Sequence, residues 1–343
     1  MMIRKEDGAG GRYMNEFLRK HVFSKINSRV CEIELAEMED SADFNETSVL
    51  TTDSYVVDPP VFPGGSIGSL AIFGTCNDLA VVGAEPKFMS LALVIQDGFS
   101  TEIFDRIMSD ISDACGKVGV SIITGDTKVV EANVGIIANT SGIGMRNPFL
   151  DKNLEVLRSY REYPFTWVRD RGLGNGDAVI LSGSIAEHGS AIMARRIGFD
   201  HGIQSDVFPV WTFVKEALST GGISAMKDPT RGGVAAALNE MAEKSGVGIK
   251  VYEDRIPIKD EVKSFCELLG LDPLTMANEG KVVFGVIPEM ADDILKALKK
   301  AGQKDAEIIG YATDEFREVV LETSAGTSRV VPQPVSDPIP RVC

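Results

Sequence analysis

The sequence is short of positive charge. Across 343 residues, 35 Lys and Arg stand against 50 Asp and Glu, a formal net charge of −15. A chain this acidic, without a basic run, repels phosphate backbones, which excludes nucleic acid as the main partner. No apolar stretch approaches the roughly 18–20 residues of a membrane-crossing helix, so no membrane partner is expected. Residues 1–11 carry charges and glycines but no apolar core. They do not read as a secretion signal, and a cytoplasmic location is expected. The five cysteines, Cys31, Cys76, Cys115, Cys266 and Cys343, are scattered with no C-x-x-C pair, and there are only three histidines. That pattern argues against a disulfide framework or a structural zinc site. Three nucleotide and nucleophile motifs are also missing: the P-loop, a complete G-x-G-x-x-G and G-x-S-x-G.

What is present is ordinary globular material, 44% hydrophobic and 25% charged, in a length that predicts two domains. A helix is expected over 13–23, and the acidic run 32–43 reads as a solvated segment. The first unit then alternates. A strand over 49–53 ends in Asp53, and Phe62-Pro63-Gly64-Gly65 makes a turn. A helix over 69–82 is closed by Gly83, with Pro86 beyond it. A strand over 88–94 follows. Ser100 can cap a helix running to Gly119, with Ile103, Ile107, Ile111, Ala114 and Val118 on one face. Strands are expected over 121–124 and 134–138. The polar stretch 146–175 marks the boundary. The second unit has strands over 178–182, 249–252, 282–286 and 317–321. Its helices fall near 189–197, 207–218, 233–244 and 290–301. The fold class is thus α/β (α+β), with domains at 1–150 and 151–330. Residues 331–343 form a tail with Pro332, Pro334, Pro338 and Pro340 that ends in Cys343. Proline at this density favours an extended chain, and thirteen such residues can reach about 40 Å.

Acidic residues recur beside small residues where strands or turns end. They are Asp53 in Thr-Thr-Asp-Ser, Asp78 in Gly-Thr-Cys-Asn-Asp, Asp126 in Gly-Asp-Thr-Lys, Asp228 in Asp-Pro-Thr-Arg-Gly-Gly and Glu279 in Asn-Glu-Gly-Lys. Any one of these fits turn chemistry. Together they fit a Mg²⁺–phosphate site, because Mg²⁺ takes one or two carboxylates plus phosphate oxygens and water. Around Asp228, Pro229 suits a helix start, Gly232 and Gly233 permit close backbone approach, and Arg231 offers a fork of donors to phosphate. His188 follows a strand and reads equally as a functional or a structural histidine. Cys343 at the end of a Pro-rich arm can enter a pocket as a substrate does, and a thiolate can carry a covalent group.

These blocks resemble one family: Phe62–Gly65, Gly74–Asp78, Gly125–Val130, Asp228–Gly233, Ala277–Lys281 and the ending Pro340-Arg341-Val342-Cys343. Their order and spacing are similar to those of the HypE family, the carbamoyl dehydratases of hydrogenase maturation. That family lies in the aminoimidazole ribonucleotide synthetase (PurM-like) superfamily. The resemblance implies a two-domain fold with a mobile tail and a homodimer through the N-terminal domains with ATP along that interface. HypF would place a carbamoyl group on Cys343. ATP-driven dehydration would then give a thiocyanate, whose cyanide passes to a HypC–HypD complex as a ligand for the iron of [NiFe]-hydrogenase. Cofactors would be ATP and Mg²⁺. By the same resemblance, Asp53, Asp78, Asp126 and Asp228 serve Mg²⁺, and Gly64, Gly65, Thr75, Asn77, Asp126, Thr127, Arg231, Gly232 and Gly233 serve ATP and its phosphates. Lys128 contacts the γ-phosphate or the carbamoyl oxygen, and Glu279 is the general base. Asp7 stands where the family has a His, and 151–171 looks longer than the usual linker. Selenophosphate synthetases carry a Cys or selenocysteine near the N-terminal glycines, which is missing here. Thiamine-phosphate kinase and aminoimidazole ribonucleotide synthetase readings leave the Cys343 tail unexplained.

Overall fold

Turn residues and apolar runs divide the N-terminal half into α1 (Gly11–Leu18), β1 (Ala42–Asn45), β2 (Ser48–Tyr55), the short β3 (Val61–Phe62) and β4 (Gly65–Ser66), α2 (Ile67–Val81), β5 (Glu85–Gln96), α3 (Thr101–Val118), β6 (Ser121–Val130) and β7 (Ile136–Met145). The computed structural model describes residues 2–8, 10–26, 30–199, 202–339 and 341–343, so Ala9, His201 and Pro340 lie outside the described residues. Five strands form one sheet in the order β1-β2-β7-β5-β6. Only β5 and β6 run parallel, because helix α3 crosses between them and returns the chain to the same end. Ser100 caps α3 by accepting from Ile103 N–H, and Gly119 ends it at φ 81°, as the spacing predicts.

The second half contributes α4 (Pro148–Tyr160), β8 (Ala178–Leu181), α5 (Glu187–Arg196), α6 (Trp211–Thr220), β9 (Ile223–Lys227), α7 (Gly233–Ser245), β10 (Gly248–Tyr252), α8 (Asp260–Leu269), β11 (Val283–Val286), α9 (Ala291–Lys300), β12 (Glu307–Thr313), β13 (Val319–Glu322) and β14 (Ser328–Val330). Its seven-stranded sheet has the order β14-β13-β10-β12-β8-β11-β9. The fold is therefore a mixed α/β, two-sheet architecture. Helix α4 occupies a stretch whose polarity reads as linker. Asn147 accepts from Phe149 and Leu150 N–H, Pro148 occupies the first turn, and Leu150, Leu154 and Leu157 are buried at helical spacing. Helix α1 ends at Leu18 and continues as a wider π-helical turn over Arg19–Phe23.

Two apolar clusters hold the halves together, and both cross between them. One joins α2, α3 and β5 to α5, α7 and α8 and takes in Ile339 and Val342 of the tail. The other packs the end of α2 against α4, α6 and α9. The acidic run 32–43 is not a solvated face. Arg169, 1% exposed, bonds Glu32, Glu37 and Glu39 at 3.2, 2.5 and 3.0 Å. Lys227 reaches Asp40 at 2.9 Å. Buried cations need anionic partners, so this run is drawn down over the second half, which places Asp40 beside β9.

Candidate functional site

Both sheets send strand ends to one cavity of about 490 Å³. From the first half come Asp53 and Tyr55 on β2, Gly74 and Asp78 on α2, and Asp40. From the second come Lys227 at the end of β9, Asp228, Arg231, Gly233 and Glu279. The N-terminal Gly10-Gly11 and α1 close one side, and Cys343 forms part of the wall. Gly10 and Gly11 take φ of 72° and 68°. A Cβ on Gly11 would stand 2.5 Å from the Pro334 carbonyl oxygen, and one on Gly10 would stand 3.1 Å from Arg231 Cβ. The glycine loop thus threads between Arg231 and the tail. Gly74 is needed for packing, because its Cβ would stand 2.3 Å from the Tyr55 hydroxyl.

The carboxylates repel one another. Burial, then the charges of Asp228, Asp53 and Asp40, push Asp78 well above the usual carboxylate range. Burial and Asp40 raise Asp228 to about 7, against the pull of Lys227. Burial, then Asp228, Asp206 and Asp53, raise Glu279, with Arg231 opposing. Glu279 Oε1 is buried without a hydrogen-bond partner, while its backbone is held firmly. Its N–H donates to Asp206 at 3.2 Å, and its carbonyl accepts from Asn77 Nδ2 at 3.3 Å and from Phe208 N–H at 3.2 Å. Burial also raises the Cys343 thiol, with Glu279 adding and Arg231 opposing. Among the described residues, no three His, Cys, Asp or Glu side chains are grouped to hold a metal by themselves.

The structure brings Asp53, Asp78, Asp228, Arg231, Gly233, Glu279 and Cys343 to one cavity. The other expected residues fall elsewhere in the protomer. Thr75 is buried beneath the site, where its hydroxyl meets Tyr55 and Thr140 at 3.1 and 2.5 Å. Asn77 is a staple between the halves, bonding Phe208, Glu279 and Val210 backbone. Gly64 and Gly65 pack against residues 205–207. Asp126, Thr127 and Lys128 lie on β6, an exposed edge strand, where Lys128 and Asp126 pair at 3.0 Å. Lys128 also holds the Asp126 carboxyl below its ordinary range. Helix α7 starts at Gly233, four residues after Pro229, and Gly232 N–H donates at 3.2 Å to the Asp337 carboxylate of the tail. The anion at that helix start is therefore the protein's own. Asp40 and Lys227 belong to the cavity but escaped the sequence reading, because an acidic run and a strand-end lysine carry no local signal of burial.

The N-terminal domain of AIR synthase related proteins matches residues 39–146, and the corresponding C-terminal domain matches residues 174–322. The chain is 46% identical to a putative hydrogenase expression/formation protein of Methanocaldococcus jannaschii, covering all of both chains. It is 42% identical to carbamoyl dehydratase HypE of Rhizobium leguminosarum bv. viciae, over 98% of this chain and 93% of that one. Among solved structures it is similar to a HypE–HypF complex (40% identity, TM-score 0.82, 92% of this chain and 99% of that one). It is also similar to HypE in complex with ATP (31% identity, TM-score 0.79, all of both chains). Full-length identity at this level, with both domains matched in order, places the chain in the HypE family of carbamoyl dehydratases, the hydrogenase-maturation members of the AIR synthase related proteins.

Proposed function

We propose that this protein dehydrates an S-carbamoyl group on its own Cys343 to a thiocyanate at the expense of ATP. The observation that carries the reading is the placement of Cys343 in the wall of the cavity that also holds Glu279, Arg231 and the acidic cluster. The balance is R–S–C(=O)NH₂ + ATP → R–S–C≡N + ADP + phosphate. The amide oxygen attacks the γ-phosphorus, and loss of the remaining N–H protons then expels phosphate and leaves the nitrile. Glu279 is suited to take a proton from nitrogen. Its Oε1 is buried without a hydrogen-bond partner and its pKa is raised, which makes the carboxylate a stronger base than an ordinary one. Arg231 lines the same cavity as Cys343, interacts with it electrostatically and can hold phosphate oxygens.

The donor set fits Mg²⁺. Asp78 and Asp228 are buried carboxylates whose charges repel, and a divalent cation relieves that repulsion. Together with Asp53 and the phosphate oxygens of ATP they would hold it, and when bound it neutralises charge on the transferring phosphoryl group. ATP binding is supported by the ATP complex of a relative, and HypF as carbamoyl donor by the HypE–HypF complex. A HypC–HypD complex is the proposed cyanide acceptor. A homodimer is supported by β6. Nine of its ten residues are exposed on both faces, including Ile122 and Ile123, with Val129 65% exposed, a surface that favours burial against a second copy. In that dimer Asp126, Thr127 and Lys128 would join the nucleotide site.

The test is to incubate the protein with HypF, carbamoyl phosphate and ATP and weigh the C-terminal peptide. Carbamoylation adds about 43 Da and dehydration then removes about 18 Da from the thiol-borne group. A peptide that gains the first mass and never loses the second would refute the reading.

A further inference from the structure

One helix grips the last peptides of the tail, beside the Asp58 N–H that also donates to the Arg341 carbonyl at 3.2 Å. Helix α5 begins at Glu187 and ends at Arg196, and each end grips a carbonyl of the last peptides. His188 Nε2 lies 2.8 Å from the Val342 carbonyl oxygen. Arg196 Nη2 donates to the Arg341 carbonyl, and its Nε donates to the Asp58 carbonyl. We propose that His188 and Arg196 are a latch that positions the Cys343 thiol in the cavity by gripping the two carbonyls immediately before it.

The tautomer follows from the partners. A carbonyl only accepts, so the proton is on Nε2, and Nδ1 is the acceptor. Ser205 Oγ, 2.7 Å from Nδ1, must therefore donate to it, while accepting from Val207 N–H at 3.1 Å. Every polar atom in this relay has a partner. Burial, first among the causes, lowers the His188 pKa against the pull of Asp206 and the Val342 carbonyl, which keeps the ring neutral as the relay requires. The Phe62 ring meets the imidazole edge-on at 5.4 Å. The Pro63 carbonyl accepts from Ser205 N–H at 2.9 Å, and a Cβ on Gly64 would stand 2.8 Å from the Ser205 carbonyl oxygen. The Phe-Pro-Gly-Gly turn is thus the backing of the latch.

The next residue, Asp206, holds the Glu279 backbone and pairs with Lys281 at 3.2 Å. One segment therefore sets the position of both the thiol and the base. The docked tail needs a latch because it is not in its easiest conformation. Arg341 has φ 54°, a left-handed backbone that residues with a Cβ disfavour. His188 and Arg196 are positioning residues, since they touch the tail backbone and not the reacting atoms.

The inference rests on Cys343 being the group acted on, but its test does not require dehydration to occur. The full-length protein is treated with iodoacetamide at fixed pH, and alkylation of the Cys343 peptide is followed by mass spectrometry. Thermal unfolding and alkylation of Cys115 serve as controls. Loss of one such hydrogen bond in His188→Ala should speed alkylation of Cys343 roughly three- to tenfold. Restoring a donor in His188→Gln should recover most of the protection. Arg196→Ala, at the rim of the fold, should also speed it and covers the case in which the alanine at 188 prevents folding. Unchanged Cys343 alkylation in a folded latch variant would overturn the proposal. So would equal acceleration in His188→Ala and His188→Gln, which would assign the effect to packing. A wild-type protein that never dehydrates its carbamoyl group would sink the proposed reaction and leave this comparison intact.

Discussion

Replacing Glu279 by Gln isolates the proposed proton transfer, because the structure separates what the backbone of residue 279 does from what its carboxyl does. The three bonds from Asp206, Asn77 and Phe208 all engage main-chain atoms of residue 279. Glutamine keeps them and keeps the volume. Glu279 Oε1 has no hydrogen-bond partner to lose, and removing a buried charge from a cluster of like charges does not destabilise the fold. The variant should therefore unfold at the same or a higher denaturant midpoint. Removing a positioned general base costs about 10²- to 10⁴-fold in rate, or roughly 3–5 kcal/mol of barrier. The assay is conversion of carbamoylated Cys343 to its thiocyanate, read by mass under single-turnover conditions with ATP in excess. Carbamoylation by HypF should be unaffected. Dehydration within tenfold of the wild-type rate would refute the assignment of Glu279 as base. A large rate loss accompanied by a lowered unfolding midpoint would refute the argument that only proton transfer was removed.

Arg169→Met should destabilise the protein by about 3–5 kcal/mol in urea unfolding, because it removes the buried cation that three glutamates share, one of them with its side chain fully buried; a change under 1 kcal/mol would contradict the reading of the 32–40 segment. Ile123→Lys should convert a homodimer to monomers in sedimentation without lowering protomer stability, since the side chain is 62% exposed in the protomer; an unchanged dimer would move the interface away from β6. Burial raises Asp337 to about 6, against the pull of the Ile339 and Gly232 amides. A raised carboxyl pKa favours the docked tail below the ordinary carboxylate range, and that advantage is lost as pH rises through 6. Hydrogen exchange of the tail amides, compared at each pH with Asp337→Asn, should therefore shift in favour of the variant between pH 4 and 6 and stay level above; a ratio independent of pH would contradict it.

Much of the fold was legible because its signals are local. Ser100 and Gly119 bracket α3, the apolar run at 282–286 is β11, and the glycines of 232–233 mark the entry to α7. Helix α4 was not legible, because its buried face is only three leucines and Asn153 in a charged stretch, and what buries that face is packing against α6. The acidic run misled for a related reason. Its partners, Arg169, Lys227 and Lys244, are more than 100 residues away in sequence, and no local pattern reveals that their charges need covering.

The sequence by itself determined the chemistry on offer: an acidic chain without a P-loop, carboxylates at the ends of strands and turns, and a thiol on a proline-rich arm. Only the tertiary structure decided which of those groups meet. It put Asp53, Asp78, Asp228, Glu279 and Cys343 around one cavity, left Asp126 and Lys128 on an open edge, and turned Thr75 and Asn77 into supports. It also gave His188 a partner 154 residues distant in Val342. The physical reason is that a carboxylate's role depends on what it is desolvated against, and desolvation is set by contacts between remote parts of the chain.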